Sequence, residues 1–267
     1  MPTVAERLRH VTAKLDRGKQ HIRDLERLHD AFIKSNPYKV TTKRDPQTRK
    51  LIYYLASVEQ PGDGIATTVG DVLQNLMSAL DHLAYQLVCV GMGSDGPFDH
   101  VYFPITDSVA EYEAQKRHKV RGMRPDAIRA IDAIKPYKGG NDILWRLYKL
   151  NNVDKHRLVI AVGSAFRSVN LGAHMQQMMQ KTVADKGITL PVLDLYVKPA
   201  DRLFPLKVGD QLFIDAPDAE VNDKMQFVFE VAFGEPQIVE GEPLLDTLRQ
   251  LTKLVDGIVP GFEPLLV

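Results

Sequence analysis

The sequence predicts an α+β protein, a helical bundle packed with an antiparallel β-sheet. Apolar residues recur every three or four positions through most of residues 1–160, the helical period, while from about Leu158 onward their spacing suits strands. A β-prone pair of runs at about 38–57 reads as an early hairpin able to join that later sheet. The chain is therefore expected to form a single domain over 1–267, with 1–160 mainly helical and 161–267 mainly β plus a C-terminal helix.

Leu8, Val11, Leu15, Ile22, Leu25, Leu28 and Phe32 make one stripe of a first helix over about 4–33, with Gly18 as its weak point. Tyr38-Lys-Val-Thr-Thr-Lys and Leu51-Ile-Tyr-Tyr-Leu flank Asp45-Pro-Gln-Thr, two strands around a turn. Gln60-Pro-Gly-Asp-Gly then breaks the chain before a second long helix. Its stripe is Val69, Val72, Leu73, Leu76, Leu80, Leu83 and Leu87, and it ends near Gly91. Val101-Tyr-Phe-Pro-Ile is expected to dock as a short extended piece through its aromatics. Pro125 starts and Pro136 ends a helix carrying Ile128, Ile131 and Ile134, and Gly139-Gly140 launch another from about Asn141 to Arg157. Val192 to Val197, Leu212-Phe-Ile and Met225 to Phe233 read as strands, and a helix from about Pro243 to Ile258 closes the chain.

Lys plus Arg balance Asp plus Glu at 34 each, so no global field draws the chain onto nucleic acid or an acidic membrane. Any polyanion has to be met locally. The richest basic run, Lys116-Arg-His-Lys-Val-Arg-Gly-Met-Arg124, reads as a solvated loop or helix edge, with a phosphate-binding patch as the alternative. Cys89 is the single cysteine, which excludes an intramolecular disulfide framework and favours a reducing compartment. The charged N-terminus and the lack of a long apolar run point to a cytoplasmic protein with no membrane association.

The chemistry concentrates on two helices. On a 100° wheel Asn75 and His82 fall on one margin of the second helix's stripe and can look into one crevice, while Met77 and Asp81 lie beyond the other margin. On the later helix Leu144, Leu147, Leu150 and Leu158 define a buried face with Asp154 in its middle and Asn151 beside it. A carboxylate there needs a partner, because burying an isolated charge costs several kcal/mol. His82, Lys155 or an arginine of the bundle can serve, so Asp154 and His82 are expected to share one polar hollow. His156, with Asn152 and Trp145, projects from a different face, toward the sheet. The plain structural alternative is a buried polar network that fixes helix register.

Asn75-Leu-Met-Ser-Ala-Leu-Asp-His82 resembles the signature helix of HEPN proteins, helical-bundle domains frequent in prokaryotic defence and toxin systems, whose hallmark is an arginine, four to six residues, then a histidine. His82 matches the histidine and Asn75 the polar residue before the motif, but Met77 stands at the arginine position and cannot steady an anion. Asn151-Asn-Val-Asp-Lys-His-Arg157 is similar to the polar segment beside such a helix in bacterial α+β proteins of this layout. The resemblance covers these two segments only. It implies a homodimer and a metal-independent ribonuclease of a defence or stress system. His82 would be the general acid/base, with Asn75, Asp154 and Lys155 in the catalytic group, and Asn151, Asn152, His156 and Arg157 binding RNA or a nucleotide. Lys155 or Arg157 would replace the lost cation. Its alternative is an inactive homodimeric relative that binds RNA, a nucleotide or a protein.

Other classes lack support. His82, His156, Asp81 and Asp154 are of metal-ligating type, but no H-x-x-x-H, H-x-x-E-H or C-x-x-C pair exists, so no metal is expected. Gly91-Met-Gly-Ser-Asp-Gly96 has G-x-G-x-x-G spacing, yet it follows a helix and runs into Pro97, which makes it a loop. No P-loop or nucleophile elbow occurs, and no cofactor is expected.

Overall fold

The computed structural model describes residues 2–157, 162–172, 175–176, 179, 195–198 and 203–267, with Arg157 described by its backbone alone. Helix α1 (Val4–Lys34) begins at a capping box. Glu6 N–H donates to Thr3 Oγ1 at 3.2 Å while Thr3 N–H donates to Glu6 Oε2 at 2.7 Å, so two backbone donors that no helical turn can satisfy find partners. Two strands follow, β1 (Tyr38–Arg44) and β2 (Lys50–Val58), joined by a turn in which Asp45 Oδ1 accepts from the N–H groups of Gln47 and Thr48 at 2.8 and 2.9 Å.

Helix α2 (Asp63–Met92) returns antiparallel to α1 and forms the centre of the bundle. Arg7 Nη1 donates to Gln86 Oε1 at 3.1 Å, the His10 and His82 rings lie 5.8 Å apart, and Gly18 packs on Leu76 further along. Val69, Val72, Leu73, Leu76, Leu80 and Leu83 are fully buried, as their spacing predicts. Each such side chain contributes about 1.5–3 kcal/mol on leaving water. Gly18 is buried against α2, where a Cβ would meet Leu76 at ordinary contact distance.

The connection after α2 buries Phe103 and Ile105, leaves Tyr102 in solvent, and reaches a helix that the apolar spacing does not announce, α3 (Val109–Lys119). Only Tyr112 is buried along it, so its signal lies in its cap, where Ser108 Oγ accepts from Glu111 N–H at 3.1 Å. Tyr112 Oη donates to Asp132 Oδ1 and Lys116 Nζ pairs with Asp132 Oδ2, both at 2.7 Å, fixing α3 to α4 (Pro125–Ile134). Helix α5 (Asp142–Arg157) is fastened to the residues before α3 by Asp107, which accepts from Trp145 Nε1 at 2.8 Å and Lys149 Nζ at 3.1 Å. Helix α6 (Leu244–Ile258) and a 3-10 turn, Val259–Leu265, complete the bundle, with Phe262 edge-on to Phe103 at 6.5 Å between ring centroids.

Among the described residues the remaining strands are β3 (Val162–Asn170), β4 (Tyr196–Val197), β5 (Gln211–Pro217) and β6 (Gln226–Phe233). The early hairpin does join a later strand, since Ile52 pairs antiparallel with Ile214, but the strands of the described residues divide into two three-stranded sheets, β1-β2-β5 and β4-β3-β6. Leu51, Tyr53, Leu55 and Leu212 of one sheet and Phe166 and Val169 of the other share a second core, separate from that of the bundle. Leu158 and 192–194 of the expected strand from Val192 lie outside the described residues. No helix among the described residues is long and apolar enough to cross a membrane.

Candidate functional site

The chemistry-bearing residues of α2 and α5 meet in a pocket of about 560 Å³ that the segment after α2 and the last turn of α3 complete. Met77, Phe103 and Ile105 form an apolar floor, and Asn151 lines it at 1% exposure with its Oδ1 unpaired among the described residues. An unmade hydrogen bond in such surroundings costs about 1–3 kcal/mol, a debt that a ligand donor can cancel.

Asp81 stands one helical turn beyond Met77 on the same face of α2. Its Oδ1 accepts from Phe103 N–H at 2.9 Å, which ties the incoming segment to the helix. Burial pushes its carboxyl up to about 6, against the hydrogen bond from Phe103 and the charge of Lys155, both of which favour the ionised form. Desolvation wins because no ammonium or guanidinium group among the described residues forms a salt bridge to it. An acid held in this range can exchange a proton close to neutral pH.

The rim carries the opposite charge. Lys119 Nζ donates to Ile105 O at 3.0 Å, and burial lowers its pKa from the ordinary lysine value, while Glu111 and Asp107 act the other way. Lys155, His100 and His118 are exposed at the mouth, and so is Tyr102, at 59%. His100 takes φ 58°, a left-handed conformation that costs a non-glycine residue about 1–2 kcal/mol. Tyr148 and Asn152 close the α5 side. The fastening of α3 to α4 through Asp132, and of α5 to Asp107, holds these groups on rigid supports.

The sequence expectations divide accordingly. Asn151, Asn152 and Lys155 do come together, with Asn152 facing this pocket and not the sheet. Asp154 and His82 do not share a hollow. Asp154 lies against Gly70, where a Cβ would run into its carboxylate, and burial with the nearby charge of Asp71 raises its pKa. Gly70 and His82 are separated by about 18 Å along α2 at 1.5 Å per residue. His82 faces α1, where burial, then His10 and Lys14, lower its pKa. Asn75 lies on that same side, near Gly18, and its Nδ2 donates back to Asp71 O at 2.8 Å. Among the described residues the cation felt at His82 is Lys14, while Lys155 acts on Asp81. His156 is exposed and lines no part of the pocket, and the side chain of Arg157 lies outside the described residues.

Asp81 lies on the side of α2 away from His82, as the helical wheel predicts, and that side forms the pocket. Lys119 and His118 belong to the basic run at 116–124, so their composition signal was present. Tyr102 and His100 carried none, since only the path of the chain after α2 brings them here. Among the described residues no group of three or more His, Cys, Asp or Glu side chains is placed to hold a metal ion. Compared with protein-family models, curated proteins and solved structures, the chain matches none.

Proposed function

We propose that the pocket between α2 and α5 binds a phosphate-bearing ligand of nucleotide size, either a free nucleotide or one unpaired nucleotide of an RNA. The observation that carries this reading is the pocket's polarity, an apolar floor beneath a rim of Lys119, Lys155, His100 and His118. Its volume of about 560 Å³ falls within the usual range for small-ligand sites. Lysine ammonium groups bind phosphate as point charges, and the exposed Tyr102 offers a ring on which a base can stack. The chain's neutral net charge requires such a local arrangement.

Calorimetric titration with 5′-AMP, 5′-GMP and a short single-stranded RNA tests it. Lys119→Ala and Lys155→Ala are each expected to weaken binding by roughly tenfold, the usual loss for a charge-assisted contact, and His82→Ala to leave it unchanged. Equal affinity in the lysine double variant would sink the reading.

A second reading, metal-independent cleavage of RNA, is favoured by the acid near pH 6. In it Asp81 takes the proton of the 2′-hydroxyl, the lysines steady the phosphate, and a rim imidazole returns a proton to the leaving oxygen. The role that the HEPN resemblance assigns to His82 then passes to Asp81. Cleavage in the presence of EDTA, lost in Asp81→Asn and kept in His82→Ala, supports it, while the reverse pattern returns the role to His82. A homodimer, a place in a defence or stress response and a cytoplasmic location belong to the same proposal. Sedimentation velocity across a range of concentrations tests the first.

A further inference from the structure

We propose a second binding site, a cleft between the two sheets in which a short extended peptide of a partner protein adds as a strand to the outer edge of β6. A cavity of about 740 Å³ opens there, and it shares no lining residue with the pocket between α2 and α5. Val40, Thr41 and Thr42 line one bank and Gln226, Phe227, Val228 and Phe229 the other. Side chains of a strand alternate between faces, so unbroken runs of lining residues mean that strand edges meet the cavity.

Backbone parity leads to the same place. On β6, Phe233 N–H donates to Glu242 O at 3.0 Å and Phe233 O accepts from Gly241 N–H at 2.7 Å, so Phe233 directs both groups away from β3. By alternation Phe229 and Phe227 direct theirs outward too, into the cleft. Opposite them, Leu55 spends its N–H on Asp210 O at 3.0 Å and its carbonyl on Gly209 N–H at 2.8 Å, both on the β5 side. Val40, which pairs with Leu55, therefore points its own groups away from β2, and Thr42 does the same. Among the described residues β1 has only β2, and β6 only β3, as a strand neighbour. Open edges of this kind are templates for another chain.

The segment at Gly241–Pro243 already begins the line that an added strand would continue along β6. The walls set aromatic pairs, the Tyr38 and Phe229 rings 4.4 Å apart and those of Tyr53 and Phe227 at 5.7 Å, beside Thr41, Thr42, Asn222 and Gln226, and so suit a peptide that alternates apolar with small polar side chains. Among the described residues Asp223 is the one charged side chain lining the cavity, so the occupant carries a lysine or arginine at that end. The four lining residues of β6 span about 13 Å, which fits four or five extended residues.

The test uses the full chain and two labelled peptides of alternating Val and Thr, one with Lys at its N-terminus and one with Lys at its C-terminus. One of them is expected to bind, to slow hydrogen exchange at the Phe227 and Phe229 amides, and to lose at least about tenfold in affinity when N-methylated on its edge-facing residues. Asp223→Asn is expected to weaken that peptide about threefold and a Lys-free analogue not at all. Failure of both peptides to bind, or indifference to N-methylation, overturns the proposal. So does protection confined to Val40 and Thr42, or edge amides already protected in the free protein because the chain or a second copy fills the cleft.

Discussion

Asp81→Asn is expected to make the protein more stable above pH 7, by about 2 kcal/mol, and to remove a pH dependence of stability between about 4 and 6. The folded carboxyl is raised from 3.8 to about 6, so the folded state holds its proton more tightly than the unfolded state. The stability that this supplies is fully present below pH 3.8 and is lost as the pH rises through 6. Two pKa units amount to about 3 kcal/mol, and partial exposure of the side chain reduces this to about 2. An asparagine keeps the acceptor for Phe103 N–H while removing the charge. If Asp81 were instead a structural ion-pair partner of Lys155, the same substitution would destabilise, and urea unfolding at about pH 8 separates the two signs. The variant should also bind 5′-AMP several-fold more tightly at that pH, because a carboxylate no longer faces the phosphate. A carboxyl that costs stability yet sits in the pocket is consistent with the proton-transfer role proposed for it.

Gly91→Ala is expected to destabilise by about 2 kcal/mol. A Cβ at Gly91 would overlap the carbonyl oxygen of Gly122 and approach Arg124 N at 3.0 Å, and both are backbone atoms that cannot rotate away. Forcing a group into such a contact costs about 3 kcal/mol, while alanine returns about 1 kcal/mol through its helix propensity. The overlap wins, and for a chain of this size the midpoint of thermal unfolding falls by about 6 °C. The displaced turn follows α3, so ligand affinity should fall with it. Gly18→Ala is the control. Its Cβ would meet Leu76 Cδ2 at 3.5 Å, an ordinary contact, so the propensity gain stands and the variant is as stable as wild type or up to about 1 kcal/mol more so. A destabilised Gly18→Ala would show that the α1 to α2 spacing is tighter than this packing implies.

The helices and the early hairpin were legible because their physics is local. The stripe from Val69 to Leu87, the Pro125 start and the Asp45 turn each act within a few residues of themselves. Helix α3 was not legible, since with Tyr112 alone buried it has no apolar period, and its charged surface is held by Ser108 and Asp132. The division into two sheets depends on pairing between β3 and β6, more than fifty residues apart, which no local pattern encodes. The site was half legible. The wheel separated Asp81 from His82 correctly, but what packs against each margin is decided by the chain after Gly93, which carries Tyr102 and Phe103 over Asp81 and leaves His82 to α1. Asp154 misled for a related reason. Among the described residues no cation pairs with its carboxylate, which lies against Gly70 and is only partly buried at the end of α5.

The most direct measurement is a side-chain carbon NMR titration of the Asp81 carboxyl, with and without 5′-AMP. The pocket as described predicts an inflection near pH 6 that moves upward when the nucleotide binds, since a second negative charge disfavours the ionised acid. An inflection near pH 4, unmoved by the nucleotide, would contradict it.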